Sequence, residues 1–156
     1  MAKGDALHNR LTDFAVRIIK LCDDLPATKS GIHIAAQLLR CGTAPAFTYG
    51  GINGDASAEA IASQLGAILK DLTKVATWLE MLRRSKMLVS DAVPPVAKEC
   101  AELGRLIDTR INTVNNNNGD EKTTYEESYE PPWHVQGNRF ENDDKDDKDG
   151  WQENGA

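Results

Sequence analysis

The sequence lacks the features that a metal site, a membrane span or a secreted domain requires. Its three cysteines are Cys22, Cys41 and Cys100, and their wide spacing provides no close pair of metal ligands. No run of about 18 apolar residues is present, so no membrane-spanning helix is expected. No charged and then apolar leader opens the chain. We therefore expect a cytoplasmic protein with reduced, partly buried thiols.

The sequence also lacks a recognisable catalytic constellation. The three histidines, His8, His33 and His134, show no spacing to a serine, cysteine or carboxylate that predicts a triad. The glycine-rich stretch Tyr49–Gly54 is no phosphate loop, because neither a preceding strand nor a lysine after its last glycine is present. We therefore predict a non-enzymatic protein that uses no cofactor and no metal.

Charge is divided unevenly along the chain. Residues 1–114 hold 14 Lys and Arg against 12 Asp and Glu, whereas residues 115–156 hold 4 against 12. The second segment has too few apolar residues to offset its chain entropy, which predicts a disordered acidic tail. Its aromatic residues lie in Tyr125–Trp133 and at Phe140 and Trp151. Three interpretations of these aromatic residues are open: they dock a protein partner, they pack loosely on the folded part, or they have no role.

Apolar residues recur every three or four positions in four segments, which is the pattern of amphipathic helices. The longest helix is predicted within Ala60–Leu88, after a cap at Asp55 or Ser57, with Leu72 in mid-stripe. The first is predicted over Asp5–Leu25. The fourth is predicted from a cap at Ser90 or Asp91 to Val114. Its stripe members are Val93, Val96, Cys100, Leu103, Leu106 or Ile107, Ile111 and Val114.

The second helix is predicted to begin at Ser30, with Ile32, Ala35, Leu38 and Leu39 on it. The low helix propensity of glycine and proline predicts that this helix ends at Gly42 and Pro45, and a kinked continuation is the alternative. No strand pattern is present, and the connections are short. The prediction is an all-α, antiparallel up-down four-helix bundle over residues 1–114, followed by the disordered tail over 115–156.

Four segments in order along Phe14–Val114 resemble one known family. They are Gln37–Thr43, Leu65–Asp71, Thr77–Leu82 and Ala101–Ile107. The pattern is similar to that of the four-helix bundle proteins known as 23S ribosomal RNA intervening-sequence proteins. The resemblance implies a ring-like homopentamer in a family without established enzymatic activity. One branch, the accessory proteins of diversity-generating retroelements, works with a reverse transcriptase and RNA.

The sequence departs from this family at the end of the second helix. The family usually has an asparagine followed three residues later by an acidic residue, whereas this chain has Thr48 and Gly51. The function of that pair in relatives therefore does not transfer directly to this chain.

Two sets of residues are candidates for interaction. The resemblance favours a contact between protomers for Lys70, Asp71 and Lys74, although charges at this spacing also suit an ordinary helix surface. Trp78 is expected, like Tyr49, in the core or at an interface, with base stacking as the alternative.

The second set is the basic run Arg83, Arg84 and Lys86, which a ring of copies would repeat. Such a rim would attract phosphate backbones, although acidic tails would compete for it. The favoured interpretation is an oligomeric scaffold or binding module, and an RNA-binding accessory protein is the alternative.

Overall fold

The computed structural model describes residues 5–88 and 91–117, and these form four α-helices and no strand. The helices are α1 (Ala6–Asp23), α2 (Lys29–Gly50), α3 (Ala58–Ser85) and α4 (Val93–Asn117). Contacts join α1 to α2, α2 to α3, α3 to α4, and α4 back to α1, without diagonal pairs. This is the predicted antiparallel up-down four-helix bundle.

The predicted apolar stripes meet along the bundle axis as one core. Leu72 is fully buried in the middle of α3. On α4, Ile107 is buried whereas Leu106 is 39% exposed, which resolves the two alternatives for that stripe. The other fully or almost fully buried large side chains come from all four helices: Phe14, Leu11, Ile18, Leu38, Tyr49, Leu65, Ile68, Leu79, Leu82 and Leu103.

Side-chain caps begin three of the helices. Asp5, Thr28 and Ser57 each accept a hydrogen bond from the backbone N–H three residues later. These caps satisfy donors that have no partner inside the helix. The predicted cap at Ser30 is wrong, since Ser30 already lies inside α2. Of the two alternatives for α3, Ser57 is correct.

Helix α2 runs without interruption through Gly42 and Pro45 to Gly50, so the prediction that it ends near Gly42 is wrong. The kinked-continuation alternative is correct only in that the helix continues. Gly42 lies against α1, where an added Cβ would be 2.7 Å from Cγ2 of Ile18. The close approach of the two helices therefore requires a residue without a side chain, and packing overrides the low helix propensity of glycine.

Some predicted ends differ from those observed. Helix α1 ends at Asp23 rather than Leu25, and α4 continues beyond Val114 to Asn117. Ser90, one of two predicted caps of α4, lies outside the described residues, as does the segment 118–156 with its predicted disorder and aromatic docking points.

No helix within residues 5–88 and 91–117 combines the length and the hydropathy that crossing a membrane requires.

Candidate interaction surfaces

The basic run at the end of α3 is partly neutralised by one carboxylate. Arg83 donates to both oxygens of Glu80, from Nε at 2.9 Å and from Nη2 at 2.7 Å. Arg84 donates from Nε to Oε1 of the same residue at 2.8 Å. The hydrogen bonds from Arg83, with that from Arg84, hold the pKa of Glu80 at about 2. We call these three residues the α3 charge cluster, and its net charge at neutral pH is one positive unit.

Lys86 ends α3 in a left-handed backbone conformation, with φ of 53°. Its backbone N–H donates to the carbonyl of Arg83. The structure thus brings the three predicted RNA-binding cations together at one helix end, with two guanidinium groups held along the helix surface.

A cavity of about 310 Å³ borders the α3 charge cluster. Among the described residues it is lined by Ala76, Thr77, Glu80, Met81 and Arg84. All five come from the outward side of α3. The cavity has no second charged carboxylate and no thiol or imidazole among these residues, so they supply no acid–base pair for catalysis.

Two of the predicted contact residues of mid-α3, Asp71 and Lys74, lie near Cys41 of α2, on whose thiol their charges act. Burial raises the pKa of Asp71, and the nearby Lys74 opposes that shift. The Lys74 Nζ lies 4.0 Å from Oδ1 of Asp71, a weak ion pair, and Lys70 is exposed. Trp78 contacts His33 of α2 edge-on, with ring centroids 5.8 Å apart. Trp78 therefore already contacts a neighbouring helix within the chain, and a contact between protomers remains a prediction.

A polar network at one end of the bundle was absent from the sequence predictions. The Tyr49 hydroxyl donates to Oδ2 of Asp5 at 2.8 Å and accepts from Nη1 of Arg110 at 2.6 Å. Burial, followed by the hydrogen bond to Asp5, raises the pKa of Tyr49 to about 12. The His8 ring stacks on Tyr49 at 6.5 Å. The network joins α1, α2 and α4, and the buried tyrosine confirms the expected packing role.

The departures from the family pattern lie beside this network. Thr48 is half-buried next to Tyr49, and Gly51 is the C-cap of α2, with φ of −87°. At that φ the position accepts residues other than glycine.

The three cysteines are free and buried, as expected from the sequence. Burial raises the pKa of Cys22 and Cys41 to about 11 and that of Cys100 to about 12. The Cys100 Sγ lies 3.3 Å from the Leu72 carbonyl, to which it donates. Thiols with raised pKa values are poor nucleophiles at neutral pH. Within residues 5–88 and 91–117 no group of three His, Cys, Asp or Glu residues is placed to hold a metal ion.

Exposed apolar side chains concentrate on α1 and α2. On α1, Val16 and Ile19 are each 43% exposed. On α2, Leu39 is 38%, Ile32 62% and Phe47 81% exposed. We call these five residues the outer α1–α2 face. The sequence placed Ile32 and Leu39 on the second helix without assigning them a side, and the structure turns both of them outward.

These features define a class, an all-helical four-helix bundle. Comparison of the chain with known protein families, with curated proteins and with solved structures finds no match.

Proposed function

We propose that this protein is a non-enzymatic scaffold or binding module that acts as a homo-oligomer. The observation that supports this most directly is the outer α1–α2 face. Exposed single apolar residues are ordinary, but contiguous apolar patches of several hundred Å² mark interaction sites. The described groups with shifted pKa values are buried or form hydrogen bonds and ion pairs within the chain. This favours binding over catalysis as the role.

Light scattering coupled to size exclusion tests the assembly. We expect a mass that is a multiple of the 17.1 kDa protomer, and the family resemblance implies five copies. The measurement should extend over the micromolar range, since assembly depends on concentration. A mass of one protomer throughout that range would contradict the proposal.

A second candidate function is RNA binding, favoured by the exposure of Arg83, Arg84 and Lys86 at one helix end. Residues 1–114 carry about two net positive charges, and the acidic segment that follows carries about eight negative ones. If that segment competes for the cations, a chain that ends at Asn117 should bind single-stranded RNA more tightly than the full chain. The gain should weaken steeply with salt, because phosphate contacts release counterions.

Two triple variants of the shortened chain separate position from net charge. Changing Arg83, Arg84 and Lys86 to Gln should remove the gain in RNA affinity. The control changes three exposed cations elsewhere, Arg17, Lys98 and Arg105, and should retain most of the gain. Equal losses in the two variants, or no RNA binding at low salt, would remove the support for this second function.

A further inference from the structure

The outward side of α3 carries cations along its second half. At about 100° per residue, Lys70, Lys74, Met81 and Arg84 share the side of the helix opposite the buried Leu72. All four of these side chains are exposed. The cavity beside the α3 charge cluster opens on the same side, because Met81 and Arg84 both line it. We call these four residues, with the cavity, the outward α3 stripe.

The acids at the margins of the stripe do not cancel its charge. Asp71 lies 4.0 Å from Lys74 in a weak ion pair, and Glu80 binds Arg84. Residues 70–86 nevertheless hold five Lys or Arg against these two acids. The second half of α3 therefore has a net charge of three positive units.

The elements next to the stripe leave this charge positive. Helix α2 contains no acidic residue. In the first half of α4, Glu99 and Glu102 both bind Arg10, so these two acids lie on the side that faces α1. Asp91, in the connection from α3 to α4, is an exposed acid near the end of the stripe. With Asp91 counted, two positive units remain, and the stripe favours an acidic occupant.

The cavity in the stripe has the size and chemistry to hold a tryptophan ring. Its volume of about 310 Å³ falls within the range of ligand pockets, roughly 300–1,000 Å³. The Met81 thioether and the Arg84 guanidinium are both groups that contact aromatic rings favourably. Thr77 and Glu80 add oxygen acceptors, and an indole N–H requires an acceptor when it is buried.

The antiparallel packing of α3 and α4 fixes the distance from the end of α4 to this cavity. The Cys100 Sγ donates to the Leu72 carbonyl, so these two residues lie at one level of the bundle. Asn117 lies 17 residues beyond Cys100, and Met81 lies nine residues beyond Leu72 in the opposite direction. At about 1.5 Å per residue, roughly 39 Å along the bundle separates Asn117 from Met81.

The length of chain beyond Asn117 selects which aromatic residue matches that distance. A coil, which the composition of this segment predicts, spans about 5–6 Å times the square root of its number of residues. On this scale Tyr125–Trp133 reaches about 20–24 Å at most, and Phe140 about 24–29 Å. Trp151 lies 34 residues beyond Asn117 and reaches about 29–35 Å, and self-repulsion extends a charged chain further. Trp151 therefore has the best-matched tether.

The residues that precede Trp151 carry the charge that complements the stripe. Residues 141–149 contain six acids and two lysines, a net charge of four negative units. With Trp151 in the cavity, this acidic run would lie along α3 beside Lys70 and Lys74. The attraction is between two net charges of opposite sign and requires no fixed register.

We propose that Trp151 and the acidic run 141–149 dock on the outward α3 stripe of their own chain, with the indole ring in the cavity beside Met81 and Arg84. A tether that matches its span gives an effective concentration in the mM range, so a contact with a dissociation constant on the order of 1 mM is half occupied. The inference goes beyond the proposed function, because it holds for a single protomer and for any assembly and requires no RNA.

The indole N–H resonances of the full chain, measured by NMR, test this docking. The chain holds three tryptophans, of which Trp78 contacts His33 within the bundle. We expect the Trp151 resonance to be broadened as that of Trp78 is, and the Trp133 resonance to stay narrow. A narrow Trp151 resonance, or a broadened Trp133 resonance in its place, would overturn the assigned segment.

Two charge substitutions at exposed apolar positions test the cavity. Met81→Glu should narrow the Trp151 resonance to the width of Trp133. The matched control, Leu106→Glu, places the same charge on α4 and should leave Trp151 broadened. Helical circular dichroism should be retained in both variants, since Met81 is 49% and Leu106 39% exposed. A Trp151 resonance that Met81→Glu leaves unchanged would overturn the site.

Two double variants test the charge of the stripe. Lys70→Glu with Lys74→Glu should lower the ratio of docked to free Trp151 about 2- to 30-fold, the range for the loss of two exposed ion pairs. The control, Arg17→Glu with Lys20→Glu, changes the net charge equally on α1 and should alter the ratio less than about 2-fold. Equal losses in the two double variants would overturn the role of the stripe.

Dilution separates docking within one chain from docking on a second copy. The ratio of docked to free Trp151 should be constant across the micromolar range, because a tethered contact does not depend on protein concentration. A ratio that falls on dilution would overturn docking within one chain. A chain that holds Trp151 and has the mass of one protomer contradicts the proposed assembly and leaves this inference in place.

Discussion

The outer α1–α2 face and the α3 charge cluster lie on the same bundle and differ in almost every physical respect. The face is apolar, with Val16, Ile19 and Leu39 each partly exposed to solvent. The cluster satisfies its charges internally, because Glu80 holds both Arg83 and Arg84. A surface whose charges are already paired gains less from a partner than an apolar surface in water does. This difference is why self-association ranks above RNA binding.

The comparison of the two surfaces depends on knowing which residues of each helix face the core and which face the solvent. Helix α3 offers a test of that assignment. Leu72 is fully buried and Met81 is 49% exposed on the same helix. Leu72→Ala should lower the free energy of unfolding by about 2–5 kcal/mol, through lost burial and a cavity. Met81→Ala should change it by less than about 1 kcal/mol. Urea denaturation measures both values, and similar losses in the two variants would show that α3 is rotated from its described orientation.

The sequence predicts the inward stripes well because each is a local pattern with the period of the helix. It predicts α2 poorly at Gly42, because the reason for a glycine there is Ile18 on another helix. The sequence placed Ile32 and Leu39 on the second helix but not on one side of it, because an apolar residue can lie on either the buried or the exposed side. Their exposure follows only from how α1 and α2 approach each other.

The polar network was missed for a related reason. Tyr49 is separated by 44 residues from Asp5 and by 61 from Arg110, so no local spacing indicates the contacts. The α3 charge cluster, in contrast, has spacings of three and four residues, at which helical side chains meet. Its partial neutralisation was therefore accessible from the sequence, whereas the predicted site considered the cations without Glu80.

The polar network sharpens the comparison, since its two charged residues are half-buried around the buried Tyr49 instead of exposed. Tyr49→Phe removes the hydroxyl that Asp5 and Arg110 share and leaves the ring in place. We expect a loss of about 1–3 kcal/mol in the free energy of unfolding, the usual cost of removing one partner of buried polar groups.

A double-mutant cycle with Arg110→Met provides the control for Tyr49→Phe. Losses that are not additive would confirm the coupling of the two side chains, since residues in contact are the ones that deviate from additivity. Additive losses, or a loss below about 0.3 kcal/mol in Tyr49→Phe alone, would contradict a structural role for the network.

The smallest effect is expected at the α3 charge cluster, where the groups are largely in water. The pKa of Glu80 lies at about 2 in the fold, below its ordinary value of 4.5. A carboxyl with a lowered pKa stabilises the fold above its unfolded-state pKa. That contribution is lost as the pH falls from about 4.5 towards 2. For exposed pairs this contribution amounts to about 0.2–1 kcal/mol.

Glu80→Gln should therefore lower the free energy of unfolding by this amount at pH 7, and the difference from wild type should vanish near pH 2. Asp55→Asn is the control, because Asp55 is exposed and forms no ion pair with the described residues. A Glu80→Gln profile parallel to that of wild type between pH 7 and pH 2 would show that the cluster contributes nothing to folding. Its cations would then be available to a partner at little cost, and the two surfaces would be closer in binding potential than their composition suggests.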